Sequence, residues 1–137
     1  MIVMDCSVAV NIARGTGEGL AAQALMLDGE ECIAPTLLFS EATSSIATLE
    51  RAGAIQKDQA MALLREALSL PDRFISTEKL WAEAFSEARH LRHPAYDMFY
   101  AVLARRYGAT LFTLDQELQK LCLANGIECI YTDTEFN

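Results

Sequence analysis

"AYDMFYAVLARRYGATLFTLD", residues 95–115, joins a helix to a strand through one glycine and sets Asp97 near its front and Asp115 at its end. The apolar stretch 96–107 reads as a helix, Gly108 stops it, and the β-rich "TLFT" of 110–113 follows at once. A helix that feeds a strand so directly is half of an α/β unit. The rest of the chain repeats that alternation.

Upstream, "IVM" (2–4) is a β-branched opening run, followed by a short helix at 7–13. Gly15, Gly17 and Gly19 are expected to loosen the chain before a helix over 20–27. "ECIA" (31–34) reads as a second strand stopped by Pro35, which suits the first turn of the next helix. That helix, 36–51, carries Leu38, Ala42, Ile46 and Leu49 at helical spacing. Another amphipathic helix covers 56–69, "RFIS" (73–76) is a third strand, and a helix runs over 77–91. Beyond the opening stretch come a helix at 116–124 and a fifth strand, "IECIY", at 127–131. Five short strands separated mostly by helices imply parallel pairing, because right-handed crossovers return the chain to the same end of a sheet. The expected architecture is a three-layer α/β/α sandwich within a single domain, 1–137.

Composition bounds the rest. No window is apolar for the roughly 18 residues a membrane span needs, and the N-terminus lacks a basic region and a small-residue cleavage site. These features read as a soluble, cytoplasmic chain with no membrane partner. Cys6, Cys32, Cys122 and Cys129 have no CxxC spacing and sit mostly in apolar runs, so they read as buried free thiols and not as a zinc site. A formal charge of −8 at first opposes nucleic-acid binding. Acids gathered around a divalent ion would invert the local sign and admit a phosphate.

The acids invite that reading. Asp5 follows the first strand and Asp115 the fourth, so parallel strands place both at the carboxyl edge, where α/β sheets bind ligands. Asp97 opens the helix that leads into the fourth strand and runs antiparallel to it, which brings its first turn to the same edge. Glu41 borders the inward stripe of its helix, under two turns from the second strand. Each acid has a plain alternative: Asp5 and Asp115 as N-caps, Asp97 as complement to a helix dipole, Glu41 as a solvated flank. Four like charges at one edge persist only with protons or a cation, and oxygen ligands without thiolate or imidazole suit Mg²⁺ or Mn²⁺. Such a cluster serves metal-assisted phosphodiester hydrolysis. Ser7 could contact a ligand water or a phosphate, or be only a helix-start hydroxyl.

"VMDCSV" (3–8), "PTLLFSE" (35–41) and "YDMFYAVLARRYGATLFTLD" (96–115), in this order and spacing, resemble the PIN-domain nucleases, in particular the VapC-type toxins of toxin–antitoxin pairs. The resemblance spans essentially the whole chain. It implies a parallel sheet ordered 3-2-1-4-5, Mg²⁺- or Mn²⁺-dependent cleavage of RNA, a homodimer, and a VapB-like antitoxin whose C-terminal segment covers the acidic pocket. Carried over by motif, the catalytic and metal-holding acids are Asp5, Glu41, Asp97 and Asp115, with Thr113 as a supporting hydroxyl. Glu117 stands where many members carry a further aspartate, and Met98 and Phe99 are bulkier than the small residues that often follow "YD".

"RHLRH" (89–93) has two readings: complement to a helix C-terminus, or phosphate contact beside Asp97 with Arg92 as the substrate-binding cation. Arg105 and Arg106 read as a solvated helix face, and Trp81 and Phe85 as core. A receiver-type phosphotransfer domain would want an aspartate after the third strand and a lysine after the fifth, which "RFIST" and "IECIYT" do not supply. A haloacid-dehalogenase-type phosphatase would want an aspartate where Ser7 stands. A non-catalytic RNA- or protein-binding module has no chemical reason to keep all four acids.

Overall fold

The computed structural model describes residues 1–130. Four strands, β1 (Ile2–Met4), β2 (Cys32–Pro35), β3 (Arg73–Ile75) and β4 (Thr110–Phe112), form one parallel sheet in the order β3-β2-β1-β4. Seven α-helices accompany them among the described residues: α1 (Cys6–Arg14), α2 (Gly17–Ala24), α3 (Leu37–Arg51), α4 (Lys57–Ser69), α5 (Trp81–Leu91), α6 (Ala95–Tyr107) and α7 (Gln116–Ala124). None of them is long and apolar enough to cross a membrane.

Every residue of β1 is buried, as expected of a strand with helices on both faces. Alternation divides the sheet between two cores. Ile2, Met4, Ala34 and Phe112 face α1 to α4, whereas Val3, Ile33, Ile75 and Leu111 face α5, α6 and α7. This is the α/β/α sandwich the alternation predicts. Each fully buried aliphatic side chain contributes roughly 1.5–3 kcal/mol, so the sheet residues alone form a substantial part of both cores.

The structure corrects several expectations. Among the described residues, the fifth strand reduces to one parallel bridge, Leu111 with Cys129, fixed by Leu111 N–H to Glu128 O and Ile130 N–H to Leu111 O. Tyr131, the last residue of that expected strand, lies outside the described residues. Pro35 ends β2 instead of opening a helix; no N–H is needed there, so the sheet accepts it. Gly17 and Gly19 lie inside α2 and do not loosen the chain. A Cβ on Gly19 would stand 2.3 Å from the Asn11 backbone, so its role is the close crossing of α1 and α2. Gly19→Ala is expected to cost about 3 kcal/mol by overpacking that crossing, measured by urea unfolding; a loss under about 0.5 kcal/mol would contradict the tight fit.

Trp81 and Phe85 are exposed on the outer face of α5, whose inner contacts come from Ala84, Ala88 and Leu91. Small residues suffice there because α6 lies close. Arg105 and Arg106 tie α6 to Glu83 of α5, with Glu87 also reaching Arg105. All four cysteines are free, as expected, with Cys6 and Cys129 only partly buried.

Candidate active site

Strand order reverses around β1, with β2 and β3 on one side and β4 on the other. The crevice outside the carboxyl ends of β1 and β4 is therefore the topological switch point of the sheet. Asp5 occupies it as the residue after β1, held against β4 by its N–H bond to Phe112 O at 3.1 Å. Its side chain caps α1 by accepting from Val8 N–H at 3.1 Å, so the capping reading is correct. It does more than cap. Ser7 Oγ donates to Asp5 Oδ1 at 2.6 Å and accepts from Leu114 N–H at 3.0 Å, while the buried Thr113 hydroxyl also bonds to Asp5. Ser7 thus spends its hydroxyl on orienting Asp5 and on locking α1 to the turn after β4.

Burial raises the Asp5 carboxyl from 3.8 to about 6, with the charge of Asp97 adding to the effect and the bonds from Ser7, Thr113 and Val8 opposing it. Glu41 is raised too, first by burial, then by Asp97, against a bond from Tyr100. The Tyr100 hydroxyl donates to Glu41 Oε1 at 2.6 Å and ties α6 to α3. Burial and the neighbouring Glu41 and Asp5 keep that phenol protonated. Asp97, in the first turn of α6, receives His93 Nε2 on its Oδ2 at 2.7 Å. Three of the expected acids are therefore linked electrostatically through Asp97, whose charge acts on both Asp5 and Glu41.

Asp115 stands apart. Its Oδ1 accepts from Glu117 and Leu118 N–H and caps α7. It touches the group through Thr113, whose Oγ1 accepts from Asp115 N–H at 3.1 Å and also bonds to Asp5. Gln119 Nε2 donates to Thr113 O at 2.8 Å and fixes that turn. Arg92 is exposed, sits in the left-handed region at φ 53° as the C-cap of α5, and has no ion pair among the described residues. The residue of "RHLRH" that reaches the site is His93. Its signal in sequence is only its closeness to Asp97, four residues on, since His93 precedes α6 by way of the Pro94 cap. Tyr100 had a weaker signal, since its partner Glu41 is 59 residues away.

Among the described residues, no three His, Cys, Asp or Glu groups are drawn close enough to hold a metal ion without adjustment. The donor chemistry nevertheless fits a hard divalent cation. Glu41 engages Tyr100 through Oε1 and Asp97 engages His93 through Oδ2, leaving Glu41 Oε2 and Asp97 Oδ1 without a hydrogen bond among the described residues. Cys6 beside them stays a neutral thiol, pushed up to about 12 by burial, Glu41 and Asp5, so it adds no soft ligand.

A family model for the PIN domain matches residues 2–124. The chain belongs to the PIN domain family. Among solved structures, this PIN domain is similar to PAE2754 from Pyrobaculum aerophilum, at 20% identity and TM-score 0.67 over 87% of this chain and 82% of that one. It is also similar to a chain of VapBC2 from Rickettsia felis, solved bound to a DNA fragment from its promoter, at 16% identity and TM-score 0.67. That likeness covers 97% of this PIN domain and the whole of the other chain. At these identities the likeness concerns the fold. No curated protein matches the sequence.

Proposed function

We propose that this PIN domain is a metal-dependent endoribonuclease, the toxin of a VapBC-type pair, which works as a cytoplasmic homodimer and is silenced by a VapB-like antitoxin. The observation that carries the nuclease reading is the placement of Asp5 and Glu41, both partly or fully withdrawn from water, within reach of the charge of Asp97 at the switch point. Burial and the nearby Asp97 raise the cost of ionising Asp5 and Glu41, and a divalent cation would stabilise the anionic state of such a site. PIN domains are generally nucleases, which agrees with that chemistry. The fold-level likeness to a VapBC chain supports the toxin assignment and the antitoxin partner.

Asp5, Glu41 and Asp97 are the residues to hold Mg²⁺ or Mn²⁺, with Asp115 at the rim of the same edge. Bound there, the ion supplies a more acidic water and charge stabilisation on the leaving oxygen. The chain supplies orientation. Ser7 and Thr113 fix the Asp5 carboxylate, His93 fixes Asp97, and Tyr100 fixes Glu41. Partners of this kind affect metal affinity or activity by about 10–100-fold. His93→Ala is accordingly expected to weaken Mn²⁺ binding at least about tenfold and to regain cleavage when Mn²⁺ is raised; unchanged Mn²⁺ dependence would remove His93 from the site.

The direct test incubates the purified chain with unpaired oligoribonucleotides in Mg²⁺ or Mn²⁺. Cleavage that stops with EDTA and returns with the ion supports the reading. Cleavage indifferent to EDTA, or none in either ion, contradicts it.

A further inference from the structure

The site opens on one side into a cleft of about 450 Å³ between α3 and the first turn of α6. Helix α3 buries Leu38, Ala42 and Ile46 against the sheet and turns a second stripe toward this cleft: Leu37, Ser40, Glu41 and Ser44. Glu41 thus faces the acidic group and the cleft at once. The opposite wall is Tyr96, the residue before Asp97, which is 63% exposed although its neighbours Met98 and Tyr100 are buried.

No lysine or arginine lines the cleft, and its charged member is the anion Glu41, so the lining does not suit a phosphate. The Ser40 and Ser44 hydroxyls have no hydrogen-bond partner among the described residues and can donate or accept along an edge. An exposed aromatic ring beside free hydroxyls is the arrangement on which unpaired bases stack and are read along their edges. A base inside a duplex could not enter.

Resting on the nuclease reading above, we infer that this cleft is a nucleobase pocket: an unpaired nucleotide next to the scissile phosphate stacks on Tyr96 and meets Ser40 and Ser44 with its edge. Tyr96 and Asp97 are consecutive, so the stacked base and one of the acids assigned to the ion are set from one helical turn. Serine hydroxyls suit both donors and acceptors, so the pocket selects strandedness more than base identity.

Stacking of a base on an aromatic side chain is worth about 1–3 kcal/mol, which corresponds to a change in affinity of about 5- to 150-fold. The probes are fluorescein-labelled oligoadenylate, oligouridylate and a blunt RNA duplex, with binding read by anisotropy in an Asp5→Asn background and cleavage read separately in the parent chain with Mn²⁺. Tyr96→Ala is expected to weaken binding of both unpaired strands about tenfold, Tyr96→Trp to retain it within about twofold, and the duplex to bind weakly and without regard to residue 96. Since Tyr96 is largely exposed, its replacement leaves the fold intact, and a Ser40→Ala, Ser44→Ala double variant should lose a further few-fold. Equal binding of unpaired strands by the Tyr96→Ala and Tyr96 forms overturns the pocket and leaves the nuclease reading standing if the parent cuts RNA. A parent that does not cut, yet whose binding depends on Tyr96, keeps the pocket and removes the nuclease. A chain that binds neither strand overturns the pocket, and it removes the nuclease reading as well only if the parent also fails to cut RNA in Mn²⁺.

Discussion

Asp5→Asn is expected to lose more than about a hundredfold in RNA cleavage and, in the metal-free state at pH 7.5, to unfold at a higher temperature than the parent. Both results come from one cause. Loss of an orienting partner costs about 10–100-fold in such sites, so removing one of the acids proposed to hold the ion costs more. The stability gain follows from the environment of Asp5, whose carboxyl is raised from 3.8 to about 6 by burial and by Asp97. A folded-state value above the unfolded one means the native chain binds the proton more tightly. Stability of the metal-free protein from this group is therefore fully present below about pH 4 and is lost as pH rises to about 6. At about 1.4 kcal/mol per pH unit, the ionised side chain costs about 3 kcal/mol at neutral pH. Asparagine is as good an N-cap, keeps an oxygen for Ser7 and Val8, and carries no charge. Parallel pH profiles of the melting temperature for parent and variant between pH 4 and 7 would show that Asp5 is not the strained acid.

The second large effect concerns the ion. Saturation with Mn²⁺ at about a hundred times its dissociation constant stabilises the native state by about 2.7 kcal/mol, which for a chain of this size raises the melting temperature by on the order of 5–10 °C. Asp97→Asn is expected to abolish most of that rise, because Asp97 is the acid whose charge acts on both others. Asp115→Asn should cost less of it, since the fold spends that carboxylate on the α7 cap. An ion-induced rise of equal size in the parent and in Asp97→Asn would place the cation elsewhere.

Much of this was legible from pattern. Helix–strand alternation fixes parallel pairing, and parallel pairing puts Asp5 and Asp115 at one edge. The antiparallel run of α6 onto β4 likewise brings Asp97 home. Where local chemistry competes with position, the pattern does not show how a side chain is engaged. Asp115 is at the expected edge, yet two backbone N–H groups of its own helix claim its side chain. Ser7 has the right spacing for a ligand contact, yet Asp5 and Leu114 take its hydroxyl. Gly19 looked like a breaker because a helix interior disfavours glycine; the crossing with α1 that requires it is a tertiary fact. Trp81 and Phe85 looked like core because of their size, but alanines let α5 and α6 approach with the aromatics outside. Arg92 was the expected cation of "RHLRH", and the left-handed cap at that residue leaves His93 beside Asp97 instead.

The central claim is that Asp5, Glu41 and Asp97 share one divalent cation at the carboxyl edge of β1. Anomalous scattering from crystals grown with Mn²⁺ tests it most directly. The expected peak is bonded to carboxylate oxygens of Asp5 and Asp97, with Glu41 drawn toward it and Tyr100 still holding Glu41. Crystals of protein that cleaves RNA in the same buffer, but that show Mn²⁺ bound away from these side chains or not at all, would contradict it.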